Sequence, residues 1–189
     1  GIAYYPFIFR DGNHLLAYSK STLFQEIVNE FRAKTGIQVT AYTYYGARQT
    51  SAQKPFKECA DVKGLKIRVP DAPAYTATWQ ACGANPTPIA FAEVYLALQN
   101  GTVDAQENPL TTIEAKKFFE VQKSIMLTSH IVDGVITMVA PHVWKTLTPA
   151  EQKMFTEVMQ EAAARASAKI RGISINAERH SSPTTGAES

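Results

Sequence analysis

The sequence has only two cysteines, Cys59 and Cys82, in 189 residues. That is too few for a disulfide scaffold. They form no CxxC pair and no metal-ligand cluster surrounds them, so no metal site or other cofactor is expected. Glycine and proline number ten each, too few for a collagen-like or disordered chain. Long hydrophobic runs are also missing. The longest passes through Gly134–Ala140, far short of the ~18–20 residues that cross a bilayer, so the chain is not expected to be membrane-embedded. Neither charge sign dominates. Nineteen Lys and Arg against 17 Asp and Glu leave a net charge of +2, without the basic excess of a nucleic-acid binder. Hydrophobic residues make up 45% and charged residues 19%, an ordinary balance for a globular chain with a core to bury.

Familiar catalytic motifs are missing too. There is no GxSxG elbow, no HExxH helix, no P-loop and no GxGxxG turn. The four histidines, His14, His130, His142 and His180, are scattered, with no two at i, i+4. Asp104 and Glu107 have the chemistry for acid–base work. A solvated loop or a structural cap accounts for them more simply. The chain opens at Gly1 without a basic-then-apolar leader, which leaves its location open. Its end, Arg179–Ser189, is small and polar and is expected to be a disordered tail.

What is present is an alternation of helix and strand periods. Thr22–Lys34 carries Leu23, Phe24, Ile27, Val28 and Phe31 on one face, then Gly36, and predicts a helix with a glycine stop. Ile37–Tyr44 is β-branched and aromatic and predicts a strand broken by Gly46. Leu65–Val69, Thr87–Ile89, Val103–Gln106, Ser124–Thr128 and Val132–Ala140 predict further strands. Helices are predicted over Ala72–Ala81 and Phe91–Gln99 and within Leu110–Phe119. Thr148-Pro149-Ala150-Glu151 is a capping box with proline at the first helical position. The apolar stripe Met154, Phe155, Val158, Met159 and Ala162 follows. A helix from there to about Asn176 runs roughly 40 Å at ~1.5 Å per residue, long enough to span two small domains. The class expected is α/β.

Four residues stand out as candidate ligand contacts. Arg68 closes the Leu65–Val69 strand, and open α/β sheets bind ligands beyond the carboxyl ends of their strands. Its guanidinium fork matches a carboxylate, although a surface arginine on a half-exposed strand has the same pattern. Asn108, after Val103–Glu107 and before Pro109, can both donate and accept, as can any asparagine in a turn or cap. Arg48, just after Gly46, reads as a third donor at a strand exit. Phe91 begins a helix after Pro88, and a core aromatic is the simpler reading for it alone. Together the four suggest an anion site lined by strand ends.

Longer stretches carry a resemblance. Pro6–Asp11 with His14, Tyr45–Thr50, Asp61–Pro70, Gly83–Pro88, Glu93–Gly101 and Val103–Pro109 resemble the solute-binding subunit of tripartite ATP-independent periplasmic (TRAP) transporters, the DctP family. Ala105 stands where that family usually has Gly. The resemblance covers roughly residues 5–178. Twenty residues separate Arg48 from Arg68 and forty separate Arg68 from Asn108, a spacing similar to that of sialic-acid and other sugar-acid binders.

The resemblance implies a two-lobed, periplasmic-binding-protein-like α/β fold with a long helix spanning both lobes. Residues 1–45 and 134–173 would belong to lobe one, and 46–133 and 174–178 to lobe two. It also implies that the first β/α units of lobe one and the final helices are missing from this chain. Its implied function is periplasmic capture of an organic acid (a sialic acid, a uronate or a C4-dicarboxylate) for delivery to TRAP membrane subunits. Arg68 would pair with the carboxylate, Arg48 would stand near it, Asn108 would complete the clamp and Phe91 would pack on the ligand. The alternative is a small α/β enzyme acting on a carboxylic acid. A periplasmic setting also permits a disulfide. The Leu65–Val69 strand leads away from Cys59 and the next helix returns Cys82 toward it.

Overall fold

The computed structural model describes residues 4–181, of which 174–181 are described as helical backbone only. Helix α1 (Gly12–Ser19) starts where the Asp11 side chain accepts from the His14 N–H. Only Gly12 and Leu15 of this short helix are buried, so it carries little periodic signal. Helix α2 (Thr22–Thr35) is capped by Ser21 and stopped by Gly36 in the left-handed region at φ 72°, as its sequence predicts.

Strand β1 (Gln38–Ala52) does not end at Gly46. It continues for 15 residues, roughly 50 Å at ~3.3 Å per residue. Gly46 takes φ 124°, and the pairing register slips between Tyr44 and Gly46. The glycine therefore bends the strand as a bulge rather than terminating it. On one side of the bend, residues 38–47 pair antiparallel with β6 (Val132–Val139). On the other, residues 48–52 pair with β4 (Ala105–Pro109) and β5 (Ser124–Met126), both antiparallel. Strand β2 (Lys66–Val69) lies parallel between β3 (Asn85–Pro88) and β4. The order is β3-β2-β4-β1-β5, with β6 also on β1. Gly46 and Asp133 are register partners, so the two points at which a change of lobe is expected sit side by side.

Helices α3 (Pro73–Ala81) and α4 (Val94–Gln99) connect the parallel strands, and α5 (Leu110–Ala115) follows β4. The predicted Phe91–Gln99 helix is split into a 3-10 turn, Phe91–Glu93, and α4. Ile67, Val69, Ala105 and Trp79 form one core, and Val94, Leu98, Ile113 and Phe118 another. Burying each such large aliphatic or aromatic side chain contributes about 1.5–3 kcal/mol. Cys59 and Cys82 are disulfide-bonded with Cα atoms 5.0 Å apart, tying the approach to β2 to the end of α3.

After α6 (Pro141–Trp144), the last helix, α7 (Pro149–Ser181), spans 33 residues. Its capping box is formed. Thr148 N–H donates to Glu151 at 2.7 Å, and Thr148 Oγ accepts from the Glu151 N–H at 3.3 Å. The helix reaches Ser181, past Arg179 where a tail was expected. The rest of that tail, residues 182–189, lies outside the described residues. The Met154–Ala162 stripe is not buried: Met154 is 60% and Val158 57% exposed. Instead α7 meets β1 through small residues, with Ala163 and Ser167 buried. Ser167 Oγ accepts from the Tyr44 N–H at 2.9 Å, next to the bulge.

Candidate ligand-binding site

Arg68, Gln106 and Ser51 are in register across β2, β4 and β1. Register partners share a face of the sheet, and Asn108, two residues beyond Gln106 along β4, shares it too.

Arg68 is 4% exposed. Its Nε and Nη2 donate to the Ile89 carbonyl at 2.9 and 2.7 Å. The guanidinium lies 5.8 Å from the centre of the Phe91 ring. No carboxylate forms an ion pair with it among the described residues. Burial pulls its pKa down, Glu107 opposes that and the Arg48 charge adds to it. A buried cation without a paired counter-ion favours any anion that reaches it. Arg68 is thus not the surface arginine of the simpler sequence reading.

Phe91 opens its 3-10 turn and is 41% exposed. Its ring meets Phe118 edge-on, with centroids 6.4 Å apart, and Lys116 Nζ stands 5.3 Å from its centre. The core reading of Phe91 is therefore corrected, because the residue is left partly exposed with two cations, Arg68 and Lys116, beside its ring. Lys116 was not among the residues singled out in the sequence. Its place beside Phe91 depends on the turn after α5, where Lys117 takes a left-handed conformation.

Arg48 is not at a strand exit but inside β1, just past the bulge, and is buried. Its Nε and Nη2 grip both carboxylate oxygens of Glu107. Nη1 donates to Asp133 at 2.8 Å, and Nη2 also reaches the Glu107 carbonyl at 2.9 Å and Asn108 Oδ1 at 3.2 Å. Glu107 is 0% exposed. It is the central acceptor of a buried ion network, which corrects its reading as a solvated or capping residue. Burial raises its pKa, but the Arg48 charge and the hydrogen bonds from His130 and Arg48 outweigh this and hold it below the ordinary value. For Asp133, burial outweighs Arg48 and the pKa is raised. His130, buried, places Nε2 3.2 Å from Glu107 and Nδ1 2.8 Å from Thr128 Oγ1. A carboxylate only accepts, so Nε2 carries the proton there.

Sequence reasoning missed Asp133, His130 and Gln106. A readable signal existed for Gln106 and Glu107: three polar residues, Gln106-Glu107-Asn108, fill a strand between Ala105 and Pro109. Asp133 and His130 had none, because 85 residues separate Asp133 from Arg48.

A cavity of about 640 Å³ lies elsewhere, lined by Phe24, Thr40, Tyr42, Ser167 and Arg171 among others. None of the four candidate residues borders it. The chemistry argues for the arginine face as the site, since the cavity shows no comparable buried, unpaired charge. Among the described residues no group of three or more His, Cys, Asp and Glu is placed to hold a metal. No described helix is long and apolar enough to cross a membrane.

This mixed α/β sheet, with a buried arginine lacking a paired counter-ion at the end of a parallel strand, has the fold of solved periplasmic solute-binding proteins. Residues 1–172 match the family of bacterial extracellular solute-binding proteins, family 7 (DctP), and the chain belongs to that family. It is 36% identical over 156 residues to the sialic acid-binding periplasmic protein SiaP of Vibrio cholerae, covering 82% of this chain and 49% of that protein. A TRAP periplasmic solute-binding protein from Roseobacter denitrificans with bound 3-deoxy-D-manno-oct-2-ulosonic acid superposes with a TM-score of 0.87. It is 29% identical, and the match covers 95% of this chain and 60% of that one. One from Shewanella oneidensis with bound succinate superposes with a TM-score of 0.84 at 30% identity, covering 93% and 57%. The chain thus spans about half the length of its curated relatives. The matched proteins are solute-binding proteins of transport, not enzymes, and the enzyme alternative is dropped.

Proposed function

We propose that this chain supplies the carboxylate clamp of a periplasmic solute-binding protein, which captures a small organic acid and presents it to TRAP membrane subunits. The observation that carries this reading is Arg68: buried, positively charged, unpaired, and at the carboxyl end of a parallel strand. An acid carboxylate would take the guanidinium hydrogens that Ile89 leaves free, with a charge-assisted, planar fit. Asn108 would add a neutral hydrogen bond and Phe91 a flat apolar wall. Arg48 would stand near the carboxylate while most of its hydrogens are already held by Glu107 and Asp133. Its role is then to position Asn108 and to set the local potential.

The bend at Gly46 and its partner Asp133 would serve as the hinge between residues 1–45 with 134–173 and residues 46–133. Closure would be driven by contacts the acid makes only in the closed state. Sugar acids and C4-dicarboxylates are both in scope, since the relatives bind sialic acid, a ketosugar acid and succinate.

A thermal-shift screen against sialic acid, hexuronates, aldonates, 3-deoxy-D-manno-oct-2-ulosonic acid and succinate tests this. It is run on this chain and on any longer polypeptide that contains it. One acid is expected to raise Tm. Arg68→Ala should weaken its binding by about 30-fold or more, within the ~2–5 kcal/mol for removing one partner of a buried charge pair. Near-normal affinity in that variant would remove Arg68 from the clamp.

A further inference from the structure

Asn108 does not stand alone on β4. Its Oδ1 accepts from Arg48 at 3.2 Å and its Nδ2 donates to Gln106 Oε1 at 2.8 Å. Gln106 Nε2 donates to Ser51 Oγ at 2.8 Å, and Ser51 Oγ donates to Gln122 Oε1 at 3.2 Å. Gln122 Nε2 ends the chain on the carbonyls of Val121 at 3.0 Å and Asp104 at 3.4 Å. Asn108, Gln106, Ser51 and Gln122 are all buried.

The direction of this relay is set at both ends. A guanidinium can only donate and a backbone carbonyl can only accept. Starting from Arg48, Asn108 must show its oxygen to the arginine and its nitrogen to Gln106. Starting from the carbonyls, Gln122, Ser51 and Gln106 must point the same way. Turning any one amide over would set donor against donor and acceptor against acceptor in a buried setting, where unmade bonds are costly. The two ends agree, so the amide orientations follow from chemistry alone.

The geometry points to Gln106 as a positioning residue that holds the Asn108 amide nitrogen on the Arg68 side of the sheet, leaving one N–H there for an acid oxygen. Gln106 is the register partner of Arg68 on β2 and of Ser51 on β1. The nitrogen it anchors therefore faces the same side as the unpaired guanidinium. A carbonyl turned to that side would repel a carboxylate; the relay forbids that turn. This inference rests on the reading of Arg68 and Asn108 as a clamp.

Two measurements on the protein test it separately from that reading. In the free protein, nuclear magnetic resonance should show slow exchange of the Asn108 side-chain amide, accelerated by Gln106→Met. Calorimetric titration with sialic acid, 3-deoxy-D-manno-oct-2-ulosonic acid and succinate reads the function. Gln106→Met should weaken the acid that binds by about tenfold, one decade per ~1.4 kcal/mol, and change nothing further in an Asn108→Ala background. A merely structural role would weaken both backgrounds equally, and that result would overturn the inference, as would unchanged affinity. Should Gln106→Met fail to fold, Ser51→Ala, which cuts the relay one step later, should give a smaller loss with the same dependence on Asn108. If neither these three acids nor the hexuronates and aldonates of the thermal-shift screen bind the unaltered protein, the clamp and its positioning residue both fall. The exchange data then tell whether the relay itself stands.

Discussion

Arg48 on β1 and Glu107 on β4 meet across an antiparallel pair, two guanidinium nitrogens on two carboxylate oxygens, with side chains 4% and 0% exposed. Asp133 from β6 completes the arginine's coordination. This single cation therefore joins the strands on both sides of the β1 bend. Of the two buried arginines, Arg48 is thus neutralised and Arg68 has no ion pair among the described residues.

Glu107→Gln should be costly. It strands part of a buried arginine, and breaking a buried ion pair from one side typically costs about 3–5 kcal/mol. Urea unfolding should show a lower midpoint with the slope retained. A loss below ~1 kcal/mol, the range of surface pairs, would mean that Glu107 is hydrated rather than buried. Asp133→Asn should cost less, because Asp133 itself is held in the charged form against its burial.

The two carboxylates give opposite pH responses. The folded pKa of Glu107 lies below its unfolded value, ordinarily 4.5. Its stabilisation is complete at neutral pH, begins to fall as pH drops below that value, and is gone beneath the folded one. Asp133 has a raised folded pKa above its ordinary 3.8. Its ionisation opposes folding at neutral pH, and that opposition is relieved as pH falls through the folded value. Acid unfolding followed by circular dichroism should therefore be shallower in Glu107→Gln than in the unaltered protein. It should be steeper in Asp133→Asn. Parallel curves for all three would contradict these assignments.

Gly46→Ala should destabilise the bend. At φ 124° a side chain is strained, and a Cβ would stand 2.8 Å from Pro109 Cβ. The expected loss is about 1–3 kcal/mol, read as a lower Tm. In a protein that binds its acid, closure should be affected along with stability. An unchanged Tm would show that β1 can straighten at this point.

The disulfide closes a separation of 23 residues, and its loss should cost about 3 kcal/mol by chain entropy. A thiol assay under denaturing conditions should find no free thiol until a reductant is added. Two free thiols in the oxidised protein would refute the Cys59–Cys82 bond.

Most elements were legible because their signals are local. Gly36 and Thr148–Glu151 mark helix ends by hydrogen bonds made within a few residues. Strands β2 and β6 announce themselves by β-branched residues, Ile67 and Val69 in one and Val132, Val135, Ile136, Thr137 and Val139 in the other. Gly46 was misread because a glycine with positive φ looks the same in sequence whether it ends a strand or bends it. The answer depends on β4 and β6 pairing on either side of it. The Met154–Val158 stripe is apolar yet largely exposed, because periodicity says that a face is apolar, not that a neighbour covers it.

By itself the sequence determined the α/β class, the family, the placement of Arg68 and Asn108 near the ends of strands and that of Phe91 at a helical start, since each follows from short-range pattern or consecutive motif. Which arginine keeps its charge unpaired was decided only by the tertiary structure. Arg48 and Arg68 are the same residue type, each beside a strand signal. They differ because β-sheet pairing brings Glu107 and Asp133 to one and only a backbone carbonyl to the other. Long-range pairing, which no local window contains, assigns the counter-ions and so separates the arginine that holds the fold from the one proposed to hold the acid.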